Sequence, residues 1–74
     1  MYAVVIVYDP ENGSYGATAP DFDMDVIGIG KSEDEALSCF RNALASYVKV
    51  LREDGKPIPE PRHTVAMIDL AAVV

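Results

Sequence analysis

Hydrophobic positions follow two rhythms along this chain, and the switch between them outlines its elements. Tyr2 to Tyr8 (YAVVIVY) is apolar without a break and rich in β-branched and aromatic residues. That composition predicts a strand covered on both faces, and so an interior one. Asp9 to Gly13 (DPENG) is a cluster of turn formers, in which Asn12-Gly13 tolerates positive φ. Ser14 to Ala19 (SYGATA) then alternates, with Tyr15, Ala17 and Ala19 on one face, which completes an antiparallel hairpin. Pro20 ends the pairing. After Asp21 to Asp25, the run Val26 to Gly30 (VIGIG) predicts a third strand, weakened by its glycines.

From Ser32 the period lengthens. Ser32 and Glu35 form a capping box, and three acids in the first turn suit the helix dipole. Leu37, Phe40, Leu44, Tyr47, Val48 and Leu51 are spaced by three, four and seven and define a buried stripe. Ala36, Ala43 and Val50 widen it on one flank, whereas Arg41, Lys49 and Arg52 mark the wetter side. Gly55 supplies the stop, and the proline-rich run Lys56 to Pro61 cannot continue a helix. Thr64 to Leu70 (TVAMIDL) predicts a last strand.

The expected fold is therefore α+β, one domain over residues 1–74 with element order β-β-β-α-β. Two hairpins and a right-handed helical crossover give a four-stranded mixed sheet of order 3-2-1-4. One helix covers only one face of such a sheet. The other face stays apolar and calls for a second copy of the chain or another partner.

Charge and composition narrow the functions. Twelve acidic against six basic residues give a net charge of −6, which repels phosphate backbones and favours basic partners. Direct nucleic-acid binding is not expected. Neither is membrane insertion, since no apolar run approaches about 20 residues. No secretory signal is read, and one cysteine in the chain fits the reducing cytoplasm. Cys39 and His63 are too few for a structural zinc, and no cofactor motif is present. Cys39 is expected as a small buried hydrophobe of the helix. His63 lacks a cysteine or serine motif to act with and is expected at the surface.

Several of these pieces, in this order, carry a family pattern. Gly13, Tyr15, Ala17, Pro20 and Asp21 match a "G-x-Y/F-x-A-x-x-P-D" second strand. Gly30, Ser32, Glu35 and Ala36 match a "G-x-[ST]-x-x-E-A" helix entry. Asp54, Gly55, Ile58, Pro59 and Pro61 match a "D-G-x-x-[IL]-P-x-P" exit. Over roughly residues 1 to 70 the chain resembles the HicB-like antitoxin family. The resemblance implies a partial RNase H-like fold and a non-catalytic antitoxin of a toxin–antitoxin system. Such a module binds and occludes a small basic mRNA-cleaving toxin, HicA, and self-associates as a homodimer or homotetramer. Two departures stand out. The family's "P-D-L-P-G-C" segment is here Pro20-Asp21-Phe22-Asp23-Met24-Asp25, without the second Pro-Gly. No DNA-binding segment is expected, so autorepression by this chain is not.

Alternation of Asp21, Asp23 and Asp25 places three carboxylates on one face if the backbone is extended. Three readings stay open: a phosphate-mimicking patch for a basic toxin cleft, a divalent-cation site, and a solvated loop. Asp21, Phe22, Asp23, Asp25 and Tyr15 are the candidate partner contacts, with Ser32, Glu35 and Gly55 structural. Neither a catalytic residue nor a metal ligand is assigned, because the carboxylates are too scattered for two-metal chemistry. The alternative function is a solitary oligomeric scaffold or small-ligand binder without a toxin.

Overall fold

In the computed structural model, which describes residues 1–73, the chain forms a three-stranded antiparallel meander with one long helix. The elements are β1 (Val5–Asp9), β2 (Ser14–Thr18), β3 (Ile27–Gly30) and α1 (Glu33–Glu53), with short 3₁₀ turns at Pro20–Phe22 and Leu70–Ala72. The sheet order is β1-β2-β3. Gly13, at φ 61°, closes the hairpin as its turn chemistry requires.

Two expectations about the sheet are corrected. The fourth strand is not formed: Thr64 to Asp69 carries no ladder, and every residue from Glu60 to Val73 is exposed. The order 3-2-1-4 therefore does not hold within one chain. For the same reason β1 is an edge strand and not a central one. Its uninterrupted apolar run reflects surfaces that this chain alone leaves open.

The pairing register sorts the side chains by face. Val5, Thr18 and Ile27 lie in one row and Val7, Gly16 and Ile29 in the next. This face is open, with Val5, Val7, Ile27 and Ile29 all exposed. The expected uncovered apolar face is present. The opposite row of Ile6, Ala17 and Gly28 turns toward α1.

How α1 reaches that face depends on Gly28 and Gly30. A Cβ on Gly28 would stand 2.7 Å from Phe40 Cα, and one on Gly30 2.5 Å from the Ala36 amide. Both are inside ordinary contact distance, so the missing side chains make the groove in which the helix rests. That placement also shifts the helix register from the expected stripe. Ala36 and Phe40 are buried, Ala43, Leu44 and Tyr47 pack beside them, and Leu37, Val48 and Leu51 are only half-buried. Cys39 is exposed, which corrects its expected burial. It falls on the flank turned away from the glycine groove.

Both ends of α1 are capped. The Glu35 amide donates to Ser32 Oγ at 3.1 Å, while Glu35 Oε1 accepts from the Lys31 amide at 3.3 Å, one residue before the expected return bond. At the other end Lys56 N donates to Leu51 O and Gly55 N to Arg52 O, with Gly55 at φ 67°. This is a Schellman arrangement, with Gly55 in its left-handed position.

The core is thin. Among the described residues the buried hydrophobic side chains are Ala17, Ala19, Phe22, Val26, Ala36 and Phe40.

Candidate functional site

The segment between β2 and β3 is a compact, acidic knuckle. Pro20 is preset for the first position of a 3₁₀ turn, and the Phe22 and Asp23 amides close it onto Ala19 O and Pro20 O. Phe22 is the anchor. Its ring is buried between Tyr2, 5.1 Å away, and Tyr47, 6.0 Å away and edge-on. An aromatic trio thus ties the knuckle to the N-terminal segment and to α1.

The chain here is turned, not extended, so the three carboxylates do not share a face. Asp21 points inward. Its Oδ1 accepts from the Arg62 amide at 3.0 Å and lies 2.8 Å from His63 Nδ1, while Oδ2 is buried without a partner. The bond to His63 holds the Asp21 carboxyl below its ordinary pKa, with the Arg62 amide acting in the same direction against desolvation. His63 is at the surface, as expected, and carries a structural tie. Asp25 is engaged differently, accepting from the Tyr47 hydroxyl at 3.0 Å. That bond, helped by desolvation and the Asp25 charge, raises the Tyr47 pKa.

Asp23 is the free member. It is exposed and sits at φ 51°, the one non-glycine residue with positive φ among those described. Between Asp23 and Asp25, Met24 is 67% exposed. The outward surface of the knuckle is therefore an apolar side chain flanked by two carboxylates. Met24 was not singled out from sequence, although a methionine inside an acid run is a visible signal of such a contact.

Tyr15 lies elsewhere. It pairs with Tyr8 across the hairpin, ring centroids 5.0 Å apart, and is half-buried. The five candidates thus separate into a buried anchor (Phe22), an inward tie (Asp21), an outward pair (Asp23 and Asp25) and a hairpin stack (Tyr15).

A second feature lies along one flank of α1, toward its C-terminal half. Leu44, Ala45 and Val48 floor an open groove of about 520 Å³, rimmed by Arg41, Lys49, Arg52 and Glu53. Three of the chain's six basic residues stand here, so its polarity is opposite to that of the knuckle. Among the described residues no cluster of three metal-ligating side chains occurs, and no helix is long and apolar enough to cross a membrane.

Neither a curated protein nor a solved structure matches the chain. One family does, described as the HicB_like antitoxin of bacterial toxin-antitoxin systems, over residues 1–73. With helix entry, helix exit and the knuckle before β3 all formed where the motifs fall, the chain belongs to the HicB-like antitoxin family.

Proposed function

We propose that this protein is a non-catalytic antitoxin module that binds and occludes a small basic, mRNA-cleaving toxin of the HicA kind. Family membership supports the antitoxin role. The observation that carries the contact surface is the outward Asp23-Met24-Asp25 knuckle on a protein of net charge −6. Two carboxylates held beside an apolar anchor suit a cleft lined with lysine and arginine, the cleft an RNA phosphate would otherwise enter. In this reading Asp23 and Asp25 make the polar contacts. Phe22 and Asp21 hold the knuckle in shape from within, while Tyr15, stacked on Tyr8 in the hairpin, is a contact separate from the knuckle. The toxin would act on mRNA in the cytoplasm, and the exposed free thiol of Cys39 suits that reducing compartment. Self-association belongs to the same proposal, supported by the open apolar face of the sheet.

The test is a titration with the product of the neighbouring small basic reading frame. Complex formation should weaken as salt rises, because steering between opposite charges is screened. D23N/D25N should weaken it about tenfold or more, whereas the solvent-facing change E33Q should not. Equal affinity for wild type and D23N/D25N would remove the knuckle as the contact. Absence of any toxin that binds would leave a solitary oligomeric scaffold as the function.

A further inference from the structure

The segment Thr64–Asp69 has the composition of a strand and no ladder to join. Val65 and Met67 are 59% and 92% exposed, and Ile68 on the other side is 77% exposed. Both of its faces are thus apolar, a pattern made for pairing and cover on each side. An isolated strand of this kind is not stable in water. Meanwhile β1 pairs with β2 alone, so its outer edge presents unpaired backbone groups beside the exposed Val5 and Val7. One chain thus holds an unpaired strand and an unfilled place for one.

Two hydrogen bonds tether the chain just before that segment. The Tyr2 hydroxyl donates to Pro59 O, and the Arg62 amide donates to Asp21 Oδ1. Tyr2 precedes β1 and Asp21 follows β2, so both ties lie at the end of the sheet where β1 begins, yet Thr64 to Asp69 joins no ladder within the chain. The arm then projects from the body, and the molecule extends 48 Å along its longest axis. Its radius of gyration is 14.4 Å, against about 11 Å for a compact domain of this length. The accessible surface is 5749 Å², about 1,300 Å² more than a compact monomer of this mass exposes. A standard interface buries about 800 Å² per partner, so the excess is of the size that a specific dimer removes.

We propose that Thr64–Asp69 of one copy pairs along the free β1 edge of a second copy, and that the second copy's arm returns the exchange. The fourth strand expected from sequence is then formed between chains. Because donor and acceptor sit on the same chain, a two-fold axis satisfies both at once and closes the assembly. The exchange gives the self-association proposed above a specific mechanism and does not depend on the toxin.

The full chain should elute with a light-scattering mass of about 16 kDa, twice its 8.0 kDa, at tens of micromolar. In a dimer mixed from ¹³C-labelled and unlabelled protein, isotope-filtered NOEs should join the Val65 and Met67 methyls of one copy to Val5 and Val7 of the other. V65K/I68K alters side chains exposed in the protomer, so folding should persist, read by circular dichroism, while the dimer dissociation constant rises more than tenfold. A folded monomer at millimolar wild-type concentration would overturn the proposal. So would arm-to-β1 NOEs confined to one copy, or a dimer unchanged by V65K/I68K.

Discussion

Substituting Gly28 by alanine adds one methyl group at the place where the fold has no room for it. The new Cβ would lie 2.7 Å from Phe40 Cα, and nearer still to the Ala36 carbonyl oxygen and the Phe40 amide. Carbon atoms at rest stand about 3.5–4.0 Å apart, so α1 must retreat from β3 by about 1 Å. Because the atoms in the way are backbone, no rotamer change relieves the clash. Overpacking typically costs about 1–3 kcal/mol, and a rigid backbone neighbour places this case at about 3 kcal/mol. A chain of 74 residues has a total stability of about 4–11 kcal/mol, so the loss is a large fraction of it. With a urea slope of about 1 kcal/mol/M, the unfolding midpoint should fall by about 3 M, followed by far-UV circular dichroism at fixed protein concentration. Gly16 is the control. It lies on the open face, and the nearest atom to an added Cβ is the Gly28 carbonyl oxygen at 4.0 Å. G16A should shift the midpoint by less than about 0.5 M at the same slope. If G28A and G16A unfold at the same urea concentration, the glycine groove does not hold the helix as argued.

Three further outcomes follow from other parts of the molecule. Asp23 sits at φ 51°, a strain of about 1–3 kcal/mol, so D23G should stabilise the fold by about 1 kcal/mol in urea while weakening the toxin complex. Ser32→Ala removes the cap on the Glu35 amide and should cost about 1 kcal/mol in the same assay; no change would show that α1 starts independently of it. The Asp21 tie should resist acid. Its carboxyl is held below the ordinary value of 3.8, so its stabilisation is fully present above that value and is lost as pH falls through the lowered pKa. The Arg62 amide proton shift should titrate with a midpoint below 3.8, and a midpoint above it would contradict the geometry at Asp21.

Much of this was legible from residue order. The hairpin at Asn12-Gly13, the cap at Ser32 and the stop at Gly55 are local chemistry, and each formed where its residues stand. What went astray depended on tertiary contact. Gly28 and Gly30 read as weakness in a strand, yet they set how close the helix comes and which of its sides is buried, and so leave Cys39 outside. Asp21, Asp23 and Asp25 alternate in sequence, but Pro20 and the burial of Phe22 bend the backbone between them. The family pattern marked this knuckle as a departure without showing that one carboxylate faces inward. Thr64 to Leu70 has the composition of a strand but forms none here, because hydrophobicity says that a segment wants cover without saying what supplies it.

The tether at Asp21 and Tyr2 also bears on the order of events in folding. The meander and α1 join neighbours in sequence, with short loops to close. By contrast, the Tyr2 to Pro59 bond spans 57 positions and the Asp21 to Arg62 bond 41. Contacts of high sequence separation carry the larger loop-closure entropy and form late. Loss of the tether should therefore speed unfolding and leave the refolding rate nearly unchanged. Residues up to Gly55 can acquire their shape before the arm is set, so the body of the protein is folded before the segment after Arg62 takes its direction.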